Sequence, residues 1–194
     1  MEQQSPSTRE RIISAANRLF YREGIRAVSV DAVAEAAGIT KKSLYYHFKS
    51  KDELVAAYLS HRDLPNLRAY RKWFEEASGS AAEKIAAIFE RLAERASQPQ
   101  WRGCGFLRTS AELANMPGHP AIVIGAEHKR KIEDWLRECL EAESVTDAAE
   151  IARQIRILID GAFAVVMLHR DPGYMRSAGQ AARALVDNAR RRSQ

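Results

Sequence analysis

The 194-residue sequence contains few of the residues that disulfide-rich, zinc-binding or membrane proteins need. Its two cysteines, Cys104 and Cys139, are too few for a disulfide framework and lack the CxxC spacing of a zinc site. The longest apolar run, from Gly161 to Leu168, is far shorter than the roughly 20 residues that span a bilayer. The first residues also lack the basic and apolar regions of a secretory signal. The sequence therefore predicts a cytoplasmic protein with no membrane segment, no metal and no cofactor.

The composition indicates a folded protein with a slightly basic balance. Hydrophobic residues make up 46% of the chain, which is too many for intrinsic disorder. The net charge of +5 permits an anionic partner without requiring one. Residues 40–51 contain four lysines and no acidic residue before Asp52, so most of the positive excess is concentrated in this short segment.

The spacing of apolar residues is helical along most of the chain, and no stretch alternates for long enough to form a strand. The pattern predicts an all-α fold with about nine helices. Pro65 is expected to bend or split the fourth helix. Because short predicted helices give way to long ones, we expect a small N-terminal domain of residues 1–53 and a larger helical domain of residues 54–194. Capping boxes predict three of the helix starts, at Ser7, Ser50 and Ser80.

Two short predicted helices joined by a turn at Gly38 are typical of a helix-turn-helix. Ser29 and Thr40 are placed to cap these helices, and Val33 and Leu44 supply part of a buried side. The outward side of the second helix offers ammonium groups, hydroxyls and an imidazole, which suit phosphates and base edges. A helical hairpin whose lysines only face water is the alternative interpretation. The outward residues are Lys41, Lys42, Ser43, Tyr45, Tyr46, His47 and Lys49.

The segment from Ser29 to Leu54, SVDAVAEAAGITKKSLYYHFKSKDEL, resembles the DNA-binding signature of TetR-family bacterial transcriptional regulators. The preceding segment, from Ile12 to Gly24, is similar to the first helix of that family. The resemblance implies an N-terminal three-helix DNA-binding unit followed by a helical domain for ligand binding and dimerisation. It also implies that Leu44 and Phe48 face the core, and that the protein is a transcriptional regulator and not an enzyme.

The resemblance further implies roles for individual residues of the motif. Tyr46 and Lys51 align with positions that hold phosphate, and the same role is open to Tyr45 and His47. The segment 41–43 lies where the recognition helix meets the bases. With the two capping residues added, the expected DNA-binding set is Ser29, Thr40, Lys41, Lys42, Ser43, Tyr45, Tyr46, His47 and Lys51.

The last two predicted helices carry apolar stripes that suit dimerisation. One short recognition helix binds DNA weakly, so helix-turn-helix proteins usually dimerise to bind half-sites about 34–36 Å apart. By resemblance, the two helices pair across a two-fold axis as a four-helix bundle. The alternative is that both stripes belong to the core of one chain. The stripes comprise Ile151, Ile155, Leu158, Ile159, Ala162, Phe163 and Val166, and Met175, Ala178, Ala182, Leu185 and Ala189.

The middle of the sequence is rich in residues that could line a small-molecule cavity. By resemblance, a bound effector changes the separation of the two DNA-binding units and so relieves repression. We therefore expect a homodimeric repressor that binds a palindromic double-stranded operator and is released by a small molecule. Polar contacts are expected from Glu112, Asn115 and His128. The expected effector-binding residues are Tyr70, Trp73, Phe74, Phe89, Trp101, Cys104, Phe106, Met116, His119, Trp135 and Phe163.

Cys104 lies between two glycines near an expected helix start, where a thiolate would be stabilised. A similar segment in the family implies the hypothesis that it senses oxidants or electrophiles, against the alternative of a small buried apolar residue. With His119 as a base, Cys104 could also serve a cysteine-dependent enzyme, although no accompanying motif supports one. His119, His128 and Glu133 are spaced too irregularly for a metal site. A DNA-binding protein without an effector is the remaining alternative.

Overall fold

The computed structural model describes residues 6–191, which form α-helices and contain no strand. This finding confirms the predicted all-α fold with about nine helices. Residues 1–5, on which the expected lack of a secretory signal partly depends, and residues 192–194 lie outside the described part. None of the described helices is long and apolar enough to cross a membrane. In chain order, the helices are α1 (Thr8–Glu23), α2 (Val30–Ala36), α3 (Lys41–His47), α4 (Lys51–Glu76), α5 (Ala81–Ala96), α6 (Gly105–Glu112), α7 (Pro120–Ala142), α8 (Ala148–His169) and α9 (Gly173–Arg191).

Backbone contacts divide the chain into two compact units. Among the described residues, the first unit contains residues 6–64 together with Gly105–Ala126, and therefore α1–α3, the first part of α4, α6 and the start of α7. The second unit contains Pro65–Cys104 and residues 127–191, and therefore the rest of α4 and α7 with α5, α8 and α9.

Helix α1 begins at the predicted capping box. The Ser7 hydroxyl accepts a hydrogen bond from the Glu10 amide at 3.3 Å, and the Glu10 carboxylate accepts one from the Ser7 amide at 2.8 Å. One face of α1, including Ile12 and Phe20, is buried in the first unit. The helix ends at Gly24, whose φ of +93° is a conformation that glycine adopts more easily than other residues.

Helix α4 is continuous through Pro65. The proline therefore does not split the helix, and it coincides with the boundary between the two units. At the start of α4, the Ser50 hydroxyl accepts a hydrogen bond from the Glu53 amide at 3.1 Å. The Glu53 carboxylate accepts its bond from the Lys49 amide at 2.7 Å, one residue earlier than a standard capping box requires.

The second unit is built around the packing of α9 against α5 and α8. The predicted capping box of α5 is present, because Ser80 accepts from the Glu83 amide and the Glu83 carboxylate accepts from the Ser80 amide. Gly179 of α9 lies directly on Phe89 of α5, where an added Cβ would be 2.6 Å from the phenylalanine Cβ. A glycine at this position therefore allows the two helices to approach closely.

Candidate nucleic-acid interface

Helices α2 and α3 form the predicted helix-turn-helix. The Ser29 hydroxyl accepts a hydrogen bond from the Ala32 amide at 3.1 Å, and the Thr40 hydroxyl accepts one from the Ser43 amide at 3.1 Å. Between the helices, Gly38 has a φ of +66°, which permits the tight turn. The predicted caps thus fix the start of each short helix.

The inner side of the motif is packed as the sequence indicates. Val33 of α2 and Leu44 of α3 are fully buried. Phe48 is also fully buried, but it follows α3 in extended conformation and is not part of the helix. Arg9 of α1 lies over the Phe48 ring, with its guanidinium carbon 4.9 Å from the ring centroid. These contacts place the recognition helix α3 against the core of the first unit.

The outer side of α3 presents the predicted polar groups. Tyr46 is 88% exposed, and Tyr45 is 43% exposed. Lys42 is exposed and His47 is half-buried, with its ring edge-on to Tyr46 at a centroid distance of 5.3 Å. Hydroxyl, ammonium and imidazole groups therefore share one short helix. Lys41 and Ser43 lie on the same helix, and Lys51 is the first residue of α4.

Two charged contacts in the motif were missed by sequence reasoning. The Lys41 ammonium forms an ion pair with Asp31 of α2 at 2.9 Å, and this hydrogen bond raises the pKa of Lys41. Both side chains are exposed, so the pair is a weak constraint. Arg11 of α1 donates to the carbonyl oxygens of Ala37 and Gly38 at 2.6 and 3.2 Å, which satisfies acceptors at the end of α2.

The expected effector-binding residues are divided between the two units. His119 is buried in the first unit, where its Nε2 lies 3.3 Å from Asp52 and its Nδ1 accepts a hydrogen bond from the Ala121 amide at 3.0 Å. Met116 is 43% exposed. The first unit contains Phe106, Met116 and His119, and the second contains Tyr70, Trp73, Phe74, Phe89, Trp101, Cys104, Trp135 and Phe163.

Aromatic contacts link several of the expected residues within the second unit. The rings of Trp101 and Phe163 are nearly parallel, with centroids 6.3 Å apart, and Phe74 meets Trp135 edge-on at 5.7 Å. Phe89 belongs instead to the packed contact between α5 and α9. Four of the expected effector-binding residues thus form two aromatic pairs in this unit, and their role in effector binding stays a prediction.

A group of charged residues beside Cys104 was not predicted. The Lys129 ammonium donates to Asp160 at 2.7 Å and to the Cys104 sulfur at 3.4 Å, and Arg156 also pairs with Asp160. Burial lowers the pKa of Lys129 to about 8 and lowers the pKa of Arg156, while burial raises the pKa of Tyr70. The available sequence signal was a single arginine inside the apolar stripe of α8.

Two of the three residues considered above for a metal site, His119 and Glu133, contact protein groups. Within residues 6–191, no group of three or more His, Cys, Asp or Glu side chains is arranged to hold a metal ion. His119, which was one candidate ligand, contacts Asp52, and Glu133 pairs with Arg153 at 3.5 Å.

Comparison with known proteins finds two kinds of match, one over the helix-turn-helix region and one over nearly the whole chain. The family model described as "Bacterial regulatory proteins, tetR family" matches residues 12–58. HTH-type transcriptional regulator TtgR of Pseudomonas putida is 41% identical over 58 residues, which cover 30% of this chain and only 28% of TtgR. HTH-type transcriptional repressor KstR2 of Mycolicibacterium smegmatis is 26% identical over 180 residues, covering 91% of this chain and 86% of KstR2. The crystal structure of a TetR-family transcriptional regulator from Streptomyces coelicolor superposes with a TM-score of 0.80 at 30% identity, covering 94% of this chain and 95% of that one.

Proposed function

The chain belongs to the TetR family of DNA-binding transcriptional regulators, and we propose that it is a homodimeric repressor that releases a palindromic operator when a small-molecule effector binds. The observation that carries this proposal is the exposed face of α3, which offers cations and hydroxyls on a helix whose other face is buried. Phosphates and base edges are the partners that these groups suit. The protein would therefore act in the cytoplasm, where bacterial chromosomal DNA lies.

We assign the DNA contacts according to position in the motif. Tyr46 and Lys51 bind phosphate, with Tyr45 and His47 beside them, and these contacts hold the motif on any sequence. Lys42 and Ser43 face the bases and set sequence preference. Ser29 and Thr40 position the two helices through their caps, with Thr40 also near phosphate, and Lys41 reaches the DNA by exchanging Asp31 for a phosphate or base.

An exposed apolar surface on α8 and α9 supports the dimer. Most residues of the two predicted stripes are buried in the core of the second unit, for example Ile155 and Ala182. Other apolar residues of the same helices remain exposed, with Ile157 at 63% and Leu168 at 78%. Both residues lie on α8, and large exposed apolar side chains are typical of protein interfaces. A shallow apolar depression on this surface is lined by Gln154, Ile157, Leu158, Ala181, Ala184, Leu185 and Asn188.

Static light scattering tests the dimer directly. We expect the wild-type chain to be a dimer at micromolar concentration and Ile157→Asp to be a monomer, because the substitution places a charge in the interface. The control is Val123→Asp, which changes an apolar residue of similar exposure, 52%, on α7. A monomeric wild-type protein, or a dimeric Ile157→Asp variant, contradicts the proposed interface.

Selection from a randomised duplex library tests operator binding. We expect enrichment of an inverted repeat whose half-site centres are about one helical turn, or a multiple of it, apart. In gel shifts with the selected duplex, Tyr46→Ala should lose affinity while Val123→Ala, which alters an exposed apolar residue of α7, should not. Failure to enrich any sequence, or enrichment of a single half-site, contradicts a dimeric sequence-specific regulator.

Transcription from a promoter that carries the selected operator separates repression from activation. KstR2 is named as a repressor and is similar to this chain over most of its length, which supports repression. We expect transcript levels to fall when the protein is added and to recover with the effector, because the effector stabilises a conformation that binds DNA less well. A rise in transcription contradicts repression, and release by no small molecule favours a regulator without an effector.

Variants of Cys104 test the sensor hypothesis and the enzyme hypothesis. If Cys104 senses oxidants or electrophiles, the Cys104→Ser variant should remain on the operator when such reagents release the wild-type protein. Retained release in that variant contradicts the sensor. We propose no enzymatic role for the thiol, and Cys104→Ala should leave operator binding unchanged.

A further inference from the structure

Two cations share one carboxylate inside the second unit. Arg156 and Asp160 lie one turn apart on α8, and Lys129 comes from α7. Asp160 pairs with the guanidinium of Arg156 and accepts a hydrogen bond from the Lys129 ammonium at 2.7 Å. Arg156 is only 5% exposed, and the Lys129 side chain is 19% exposed. We call these three residues the α7–α8 charge cluster.

The α7–α8 charge cluster has an excess positive charge. Its three members are two cations, Arg156 and Lys129, and one carboxylate, Asp160, and the Cys104 sulfur lies 3.4 Å from the Lys129 ammonium. The other nearby carboxylate, Glu133, pairs with the exposed Arg153 at 3.5 Å. A buried cation is stable only when an opposite charge and hydrogen bonds compensate for its lost hydration. One additional negative charge would balance the cluster.

Arg156 also has hydrogen-bond donors that are not used. Its Nε and Nη1 atoms are buried and have no hydrogen-bond partner within residues 6–191. An arginine side chain has five N–H donors, and a buried donor without an acceptor is costly. The guanidinium can therefore donate hydrogen bonds to a further partner that is both anionic and rich in acceptor atoms.

An aromatic pair, Phe163 and Trp101, follows the α7–α8 charge cluster on α8 through Phe163. Phe163 follows Asp160 by three residues on α8, so the two side chains share one face of the helix. The half-buried Trp101 ring stacks on Phe163 at a centroid distance of 6.3 Å and an interplanar angle of 13°. A ligand whose charged group reaches Arg156 can thus place an apolar body against aromatic side chains.

We propose that the α7–α8 charge cluster binds the head group of the effector, and that this effector is a carboxylate with an apolar body. The carboxylate accepts hydrogen bonds from Arg156 and lies beside Lys129, while the body packs near Trp101 and Phe163. A singly charged carboxylate matches the missing negative charge, whereas a doubly charged phosphate ester exceeds it. The inference rests on the proposed function insofar as the ligand is called an effector.

Calorimetric titration of the full chain with matched carboxylates and amides tests the head-group site. The pairs are benzoate and benzamide, 2-naphthoate and 2-naphthamide, and octanoate and octanamide. We expect at least one carboxylate to bind about tenfold or more tightly than its amide, as one charge-assisted hydrogen bond allows. Inorganic phosphate should bind more weakly than that carboxylate. Equal affinities within all three pairs, or phosphate binding as tight as the best carboxylate, overturn the proposal.

Variants locate the binding site. Arg156→Met should abolish the preference for carboxylate over amide, and Arg153→Met should retain it, because Arg153 is an exposed arginine on the same helix. Lys129→Met should weaken the preference and serves as the second variant if circular dichroism shows that Arg156→Met does not fold. A preference that survives in Arg156→Met, or in Lys129→Met when that variant replaces it, overturns the assignment.

Operator release separates this inference from the proposed function. A carboxylate that binds through Arg156 without releasing the selected duplex contradicts its role as effector and leaves the binding site intact. Release that only the neutral amides produce overturns the head-group site and leaves effector-controlled DNA binding intact.

Discussion

The carboxylate of Glu112 on α6 accepts a hydrogen bond from the backbone amide of Arg26 at 2.8 Å. The same carboxylate accepts a second bond from the amide of Ile25 at 3.2 Å. These two amides belong to the segment between α1 and α2, which precedes the helix-turn-helix. The Arg26 side chain adds a bond to Asn115 at 3.1 Å. Within the first unit, α6 therefore holds the segment that leads into the DNA-binding motif.

Replacement of Glu112 should destabilise the first unit. In Glu112→Ala, two backbone amides lose a charged acceptor, which should reduce the free energy of unfolding by about 1.5–3 kcal/mol and lower the Tm by roughly 3–10 °C. Glu112→Gln keeps an acceptor without the charge, so its Tm should lie between those of the wild type and Glu112→Ala. Thermal unfolding followed by circular dichroism measures the change. The control is Glu94→Ala, since Glu94 forms only an exposed pair with Arg91. Equal shifts for Glu112→Ala and the control would show that the α6 contact contributes nothing specific.

Loss of a phosphate contact should weaken binding to every DNA sequence. Lys51→Ala removes one cation at the start of α4, so the affinities for the selected operator and for a scrambled duplex should fall by a similar factor. The slope of log affinity against log salt concentration should decrease by about 1, because about one fewer counterion is released. Fluorescence anisotropy at several salt concentrations measures both effects. Lys72→Ala, an exposed lysine of the second unit, is the control. An unchanged salt slope in Lys51→Ala contradicts the phosphate role.

Loss of a base contact should change sequence preference. Lys42→Ala should reduce affinity for the selected operator by about 1–3 kcal/mol and leave binding to scrambled DNA nearly unchanged. The difference arises because a base contact is made only on the correct sequence, whereas phosphates are present on all sequences. Gel shifts with single-base operator variants should show relaxed discrimination at one or two positions. A variant that binds all operators more weakly by the same factor would place Lys42 on phosphate instead.

Sequence reasoning succeeded where the determining interactions are local. The capping boxes at Ser7 and Ser80 depend on residues three positions apart, and both are present. The core-facing position of Leu44 follows from helix periodicity, and that of Phe48, which lies just after α3, follows from the family signature; both residues are fully buried. The two tyrosines of α3 are exposed for the same periodic reason. Such features need no knowledge of how distant helices pack.

Contacts between distant segments could not be predicted in the same way. The bond from Ile25 to Glu112 joins residues 87 positions apart, and the pair of Lys129 with Asp160 joins residues 31 apart. Their existence depends on the crossing angles and rotations of whole helices, which local patterns do not specify. Arg156 did leave a signal, because a charged residue inside an apolar helix stripe requires a buried partner.

The buried Lys129 should make stability depend on pH in the alkaline range. Burial, together with the positive charge of Arg156, lowers the pKa of Lys129 from its ordinary 10.5 to about 8. Between these values the unfolded chain holds a proton that the folded chain has released. The free energy of unfolding therefore rises with pH across this window. Below pH 8 both states are protonated, and the cost of burying the charge is fully present.

Lys129→Met removes the titrating group, so comparing the wild type with this variant isolates the contribution of Lys129 to the pH dependence of stability. Relative to the variant, the wild-type free energy of unfolding should rise by roughly 1–3 kcal/mol between pH 7.5 and 10. Urea unfolding at several pH values measures the difference. Lys72→Met controls for the loss of an exposed lysine and should follow the wild-type pH profile. Parallel profiles for the wild type and Lys129→Met would mean that the Lys129 ammonium is hydrated in the folded protein. An anion bound at Arg156 should reduce the effect, because a nearby negative charge raises the pKa of the lysine towards its ordinary value.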